Sequence, residues 1–521
     1  MVLSVNTNNA ALYAQSAQAR TTDAMDTAME RLSTGKRINA AHDDAAGLAI
    51  ATRMEAQIRG LDMAIKNSAD AQALMNTAEG AQDEISNILQ RMREISIQAG
   101  NDTNVAQDRV GLQTEINQLI AEMDRISSQT TWNGMSVLDG TFSTKKFQIG
   151  AEAGQNIELS LDSVASSVLG NYQLNTLVNL TSTAVGGILA DSYTVVGAEG
   201  TATFSTSVGD SAKEFAADIN SRTGSTGVSA TAVTKLKLSG LTAAEAVFLK
   251  INGTSTATVA IGDTTDLRDL MDAINAKSGT TGVTASLYGG SNAALELVDA
   301  DGDDIKIEMD AASTTTEMTL TALDRNGTTA QSGQATNLVA TLIDAGGTAA
   351  AGYDTKVAVV TGQVSLSSYD AFNLTQVTDD AVGFGHGGNT SGYITADGEF
   401  IGAGTTNGTY TGNASLTTVS TVDVSTRSGA ETALNVIDGA LDKINNQRAK
   451  LGALANRITY TMNNLQNIQV NVQASQGRIQ DADFAAETSA LVRSQILSQA
   501  ATAMLAQANA SKQTVLTLLQ G

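Results

Sequence analysis

From Leu434 to Leu465 the apolar residues step alternately by three and four: Leu434, Ile437, Leu441, Ile444, then Arg448, then Leu451, Ala455, Ile458, Met462 and Leu465. Only Arg448 interrupts the series. Held over more than four heptads, this spacing is a coiled-coil seam and demands a second long helix to cover it. The N-terminal part supplies one, with Met54, Ile58, Leu61, Ile65, then Met75, Ala78, Ile85, Leu89 and Met92 on a matching stripe. A helix from about 44 to 98 would be roughly 80 Å long. A further helix is predicted over about 104–128, with Leu112, Ile116, Leu119 and Met123 on one face. The two chain ends therefore predict one antiparallel bundle. The 521 residues contain no proline to break it. Each fully buried Leu or Ile contributes about 1.5–3 kcal/mol, so the rod can hold without disulfides, and the chain has no cysteine.

The extreme ends differ. Residues 2–32, with Leu12, Met25, Met29 and Leu32, and residues 487–519, with Leu497, Met504, Ala508, Ser511, Val515 and Leu518, are Ala-rich with modest stripes. Two such helices make a thin core and are marginal as an isolated pair. They are predicted to order only against copies of the same chain, so that burial is deferred to assembly.

Between the helical ends the composition changes. Residues 161–426 are rich in Gly, Ser, Thr, Val and Asp and hold ten of the 31 basic residues. They read as strand and turn. An internal repeat recurs at an offset of 55: Phe215-Ala-Ala-Asp-Ile-Asn220 as Leu270-Met-Asp-Ala-Ile-Asn275, and Gly224-Ser-Thr-Gly-Val228 as Gly279-Thr-Thr-Gly-Val283. Each unit reads as a hairpin, a short helix ending at Gly, and a returning strand. Residues 311–425 read as further β-structure, with turns at Asn326-Gly327 and Asn407-Gly408. The fold class is thus multi-domain: an α-helical, coiled-coil bundle made by both ends, with β-rich central domains.

Charge narrows the function. A net charge of −23 and a pI near 4.4 argue against nucleic acid and anionic membranes as partners. Two histidines, His42 and His386, nearly exclude a His-based catalytic or metal centre. No basic n-region precedes an apolar h-region, and no run of about 18 apolar residues occurs. The sequence alone therefore predicts neither a signal peptide nor a membrane span. No cofactor motif is present.

Several strings resemble the bacterial flagellins. They are Arg31-Leu-Ser-Thr-Gly-Lys-Arg-Ile-Asn-Ala-Ala-His-Asp-Asp-Ala-Ala-Gly-Leu-Ala-Ile50, Trp132-Asn-Gly-Met-Ser-Val-Leu-Asp-Gly-Thr-Phe142, Phe147-Gln-Ile-Gly-Ala-Glu-Ala-Gly-Gln155, Arg478-Ile-Gln-Asp-Ala-Asp-Phe-Ala-Ala-Glu487, Leu505-Ala-Gln-Ala-Asn509 and Val515-Leu-Thr-Leu-Leu519. They are collinear and cover about 1–165 and 430–521. The central repeat resembles an insert motif of flagellin variable regions. One departure is visible: where many flagellins carry a proline before the last Val-Leu, this chain has Ala510-Ser-Lys-Gln-Thr514, so a helix can run unbroken to about 519.

The resemblance implies a structural, non-enzymatic subunit of the flagellar filament, exported unfolded through the flagellar type III apparatus and extracellular. A hook–filament junction protein is the alternative. Four divisions follow: an inner terminal helical domain (1–43 and 477–521), a helical shell domain with a β-hairpin near 141–160 (44–179 and 426–476), an α+β outer domain of two repeats (180–310), and a β-rich outermost domain (311–425). The implied partners are other copies of the chain, an export chaperone, the cap protein and hook-associated proteins. Toll-like receptor five of vertebrate hosts is a further one. Its recognition surface in the family matches Leu89, Gln90, Arg91, Glu94 and Ile95, with Glu115 on the neighbouring helix. The expectation is a guanidinium fork beside an apolar Leu89/Ile95 patch. The same residues serve equally as subunit contacts, and both readings can hold.

Other clusters read as structural. Asp43-Asp44 opens the long helix and can cap it. Asp299-Ala-Asp-Gly-Asp-Asp304 lacks the glycine and glutamate of a calcium loop and reads as a solvated acidic turn. Gly383-Phe-Gly-His-Gly-Gly388 reads as a tight turn, since no H-E-x-x-H protease motif accompanies it. Dense Ser and Thr over 160–430 would suit O-glycosylation, as in family members.

Overall fold

The computed structural model describes residues 7–176, 179–181, 188, 191–207, 209–311, 317–327, 339–343, 354–355, 357–377, 391–394, 400–404 and 409–520. For 179–181, 310–311, 339–343, 354–355, 377, 391–394, 400–404, 409–411 and 512–520 it describes the backbone alone. His386 with its glycine loop and the turn at Asn407-Gly408 lie outside the described residues.

The described helices are α1 (Asn9–Thr34), α2 (Ala45–Ala99), α3 (Ala106–Gln129), α4 (Ala212–Asn220), α5 (Thr223–Thr226), α6 (Arg268–Asn275), α7 (Ser278–Thr281), α8 (Arg427–Gln480) and α9 (Phe484–Gln520). The 55 residues of α2 make it about 80 Å long. The chain divides into two compact units: Met1–Thr77 with Ser143–Ser160 and Lys450–Gly521, and Ala78–Phe142 with Leu161–Ala449. α2 and α8 have residues in both.

In the first unit, α2 and the later turns of α8 close on a small apolar cluster of Leu61, Ala64 and Leu465, with Ile65 against it. Polar bonds cross the same pair: Gln469 Nε2 donates to Asp62 Oδ1 at 2.5 Å and Gln476 Nε2 to the Ala51 carbonyl at 3.4 Å. A hairpin, Lys145–Gln148 with Asn156–Leu159, lies on α2. Asn67 Nδ2 donates to the Gln148 carbonyl at 3.1 Å. Gly60 permits the contact, since a Cβ there would stand 3.1 Å from Ala151 Cβ.

In the second unit the helical core holds Ile85, Leu89, Met92, Ile95, Ile116, Met123, Val436, Ile437 and Ile444, all at or below 1% exposure. Of the seam, Ile437, Ile444, Leu451, Ile458 and Leu465 are buried, while Leu434, Leu441 and Met462 are half-buried. Ala433, Val436 and Ala440 take inward positions between them. At the interruption Gln447 turns inward and accepts a hydrogen bond from Gln82 Nε2 at 3.1 Å. Arg448 reaches sideways to Asp83 at 2.9 Å. A buried polar layer of this kind fixes register at some cost in stability.

The β-region is organised by one eleven-residue strand, Ser229–Ser239. Its first half pairs antiparallel with Gln363–Ser368, and its second half with both Ala294–Asp299 and Glu317–Leu323. Both repeats have the expected form. α5 and α7 end at Gly227 and Gly282 with φ of +71° and +77°, where glycine escapes the left-handed penalty. Asn220 and Asn275, equivalent by the offset, each exchange two bonds with the backbone of a returning strand, at Ala230 and Ala285. The cores differ from a simple boundary at 310. The first repeat packs Tyr193, Phe204, Phe215 and Ile219 with Val364, Leu366 and Leu374. The second packs Leu270, Ile274, Leu295 and Leu297 with Leu320 and Val360. Strands from 311–377 are thus interleaved into the repeats' own sheets. β-pairing between distant segments costs only slowly growing loop entropy, so Thr-rich strands can join whichever edge matches them.

Candidate assembly site

The two terminal helices lie antiparallel. Asn8 caps α1, its Oδ1 accepting from Ala11 N at 3.1 Å, and its Nδ2 donates to the Ala508 carbonyl at 3.2 Å. Near the other end Arg31 pairs with Glu487 at 3.1 Å, both largely screened from solvent. Yet this pair builds almost no core. Ala28 and Ser494 are the only buried side chains among its described residues. Exposed instead are Leu12 (56%), Tyr13, Met29, Phe484, Val492, Ile496, Leu497 and Met504 (65%). Met25 and Leu32 are half-buried. The side chains of Val515 and Leu518 lie outside the described residues. The sequence reading named Leu12, Met29, Leu497 and Met504 but missed Tyr13, Phe484, Val492 and Ile496. The i, i+4 spacing of Val492 and Ile496 was the available signal.

The strings at 31–50 and 478–487 meet in space. Arg37 N donates to the Gln480 carbonyl at 2.6 Å and Ala482 N to the Gly35 carbonyl at 3.0 Å, around a bridge of Lys36 with Asp481. Gly35, at φ +70°, ends α1. Asp43 Oδ2 accepts from Asn39 N and Ala40 N at 3.0 Å, and these bonds hold its carboxyl below the ordinary value. Asp44 Oδ1 caps α2, accepting from Ala46 N and Gly47 N at 3.1 and 2.9 Å. A Cβ on Gly47 would strike Asp44 and the buried Ile38. Asp483 Oδ1 caps α9 through Ala485 N and Ala486 N. His42 stays exposed beside Asp43. These strings therefore build the turns that aim α1 and α9.

The expected receptor surface is polar. Arg91 Nη1 meets Glu94 at 2.9 Å, and Arg91 Nη2 and Nε meet Glu115 at 2.8 and 3.0 Å. The Glu94 bond, then the Glu115 bond, raises the guanidinium above its ordinary value. Gln90 is exposed beside them. Leu89 and Ile95 are not: both are 0% exposed, which corrects the expected apolar patch. They share the inward stripe of Ile85, Met92 and Ala99, and periodicity sends them to the core.

No helix among the described residues is long and apolar enough to cross a membrane. Among the same residues no cluster of three or more acidic or histidine side chains could hold a metal.

The family model for the bacterial flagellin N-terminal helical region matches residues 5–143, that for the C-terminal helical region matches 434–519, and the flagellin hook IN motif matches 249–301. The chain is 36% identical to the B-type flagellin of Pseudomonas aeruginosa and 32% identical to polar flagellin A of Vibrio parahaemolyticus, over all of each chain. The solved FliC of Burkholderia pseudomallei aligns with 74% of this chain and 99% of its own at 19% identity, with a TM-score of 0.27. The full-length relatives carry the flagellin name, not that of a junction protein. The chain belongs to the bacterial flagellins, the structural subunits that polymerise into the flagellar filament for motility.

Proposed function

We propose that α1 and α9 are the elements that drive polymerisation, by burying their exposed apolar side chains against the same helices of neighbouring copies. The observation that carries this is a helix pair with, among its described side chains, eight exposed large apolar groups and only Ala28 and Ser494 buried. Burying eight such groups supplies on the order of 10 kcal/mol per subunit, against an association cost of about 4–15 kcal/mol. Each subunit contacts several neighbours, so small gains repeat along a helical polymer. In this reading the pair is the inner part of the subunit (1–43, 477–521), with the shell (44–179, 426–476) around it and the interleaved β-region (180–425) outside. Ile496→Asp tests the reading. The monomer keeps its helix content, and elongation from filament seeds is lost. Normal elongation would reject the proposal.

The export chaperone, the cap protein and hook-associated proteins belong to the same reading as partners of the exposed ends. Passage through the type III apparatus to the cell exterior suits a chain that lacks cysteine and proline. We propose further that Gln90, Arg91, Glu94 and Glu115 form a polar recognition surface for Toll-like receptor five, with Leu89 and Ile95 supporting it from beneath. Arg91→Ala and Glu115→Ala monomers with unchanged receptor affinity would remove that assignment.

A further inference from the structure

Three neighbouring strands of the β-region pair antiparallel, Gly170–Asn175 in the middle with Gln363–Ser368 on one side and Ser415–Thr418 on the other. Leu174, Val364 and Leu366 face the first repeat's core. By the period of two, Gln173, Asn175, Gln363, Ser365, Ser415 and Thr417 share the opposite face. A polar sheet face ordinarily meets water. Here the first turns of α8 roof it. At Gly439 the helix backbone comes so close that a Cβ would stand 2.9 Å from Asn171 Cβ. Between face and helix lies a cleft of about 610 Å3 lined by those six side chains, by Asp324 and Arg325, and by Glu431 and Leu434 of α8.

Two features mark it as more than a gap. Asn175 Oδ1 is buried with no hydrogen-bond partner among the described residues, an arrangement that costs free energy unless something donates to it. Arg325 is half-buried. Its Nη1 donates to Thr231 Oγ1 at 2.7 Å, its backbone N is fixed by Gln363 Oε1 at 2.9 Å, and no carboxylate among the described residues pairs with it. Burial pulls the guanidinium below its ordinary value and the Glu431 charge opposes that.

We propose that this cleft binds a free α-amino acid with a polar side chain. The α-carboxylate takes the Arg325 fork, the α-ammonium donates to Asn175 Oδ1 and Glu431, and the amides and hydroxyls of the sheet face take the side chain. Charge selects this class. Arg325 and the carboxylates of Asp324 and Glu431, the last also paired with Arg427 at 3.2 Å, set both signs at the cleft, and a zwitterion satisfies both. Among the described residues no aromatic ring lines the cleft, so a sugar has no face there to stack on. Leu434 is the one large apolar side chain among the described lining residues, so an apolar amino acid gains little.

The test is calorimetric titration of the full-length monomer with L-glutamine, L-asparagine, L-serine and L-glutamate, with N-acetyl-L-glutamine, galacturonate and phosphate alongside. The expected result is saturable binding of at least one of the four amino acids at one site per chain. Arg325→Gln and Glu431→Gln should each weaken it by about tenfold or more, with circular dichroism and seeded polymerisation unchanged. Glu431→Gln changes a helix-surface residue and guards against misfolding of the Arg325 variant. No saturation by any of the four at millimolar concentration overturns the proposal. So does undiminished binding by Glu431→Gln, or tighter binding of N-acetyl-L-glutamine, galacturonate or phosphate.

Discussion

The terminal helix pair and the second repeat module are opposite solutions to the same problem. The module buries Leu236, Leu238, Leu249, Ile251, Leu270, Ile274, Leu295, Ile307 and Leu320 within one chain. It reaches these contacts through strands that pair across long separations. The terminal pair, with helices of 26 and 37 residues, buries only Ala28 and Ser494 among its described side chains. In proteins most helical stability comes from packing of an apolar face rather than from propensity, and this pair has little such packing of its own. A self-sufficient core makes a region indifferent to its neighbours. A deferred core makes folding and assembly one equilibrium. This chain uses the first for the part formed by its repeats, and the proposed assembly reading assigns it the second at its ends.

The sharpest way to break the contrast is to damage each region and read stability and assembly separately. Phe215→Ala empties the centre of the aromatic cluster with Tyr193 and Phe204, whose ring centroids lie 5.0 and 5.2 Å from it. It should destabilise the monomer by about 3–5 kcal/mol in urea titration while filaments still elongate in the cold. Loss of elongation with an intact urea transition would erase the distinction.

A smaller effect is expected at Asp304. Burial, then the charges of Asp303 and Glu214, pushes its carboxyl up to about 7, and its Oδ1 has no partner among the described residues. The neutral form is favoured in the folded chain. The folded pKa lies above the unfolded value, so this group penalises stability progressively as pH rises from about 4 to about 7. Asp304→Asn should therefore stabilise the chain by about 1–2 kcal/mol above pH ~7 and change little near pH ~4. A urea series across that range that shows equal differences at both ends would contradict the assignment. Lys213 pairs with the neighbouring Asp301 and Asp303 at 3.3 and 2.8 Å.

The smallest monomer effect belongs to Leu497→Ala. Its side chain is already 48% exposed, so the unfolding free energy from urea titration should change by no more than about 0.5 kcal/mol. The critical concentration for polymerisation should nevertheless rise. A large monomer shift would mean that the terminal pair has a hidden intramolecular core.

Much of the helical architecture was legible because a long apolar stripe has few alternatives. α2 begins and ends within one residue of the predicted helix of about 44–98. The finer packing was less legible. A seam read from Leu, Ile and Met overlooks alanine, and Ala433 and Ala440 are the inward residues where Leu434 and Leu441 sit to the side. The break at Arg448 marked a polar layer, but Gln447 is the residue that fills it. Leu89 was read twice, once on the stripe and once by resemblance as surface, and the periodicity decided for burial. In the β-region the local pieces were readable, since Asn220 and Asn275 recur with identical bonds. The partners of Ser229–Ser239 were not, because alternation fixes which face a residue takes and says nothing of which distant strand lies alongside.

Hydrogen exchange of the full-length protein, compared between monomer and filament, tests the deferred core most directly. The account predicts that amides of α1 and α9 exchange rapidly in the monomer and become strongly protected in the filament, while those of Ser229–Ser239 and the α2 segment around Leu89 are slow in both. Protection of α1 and α9 that is already complete in the monomer, or that does not increase on polymerisation, would contradict it.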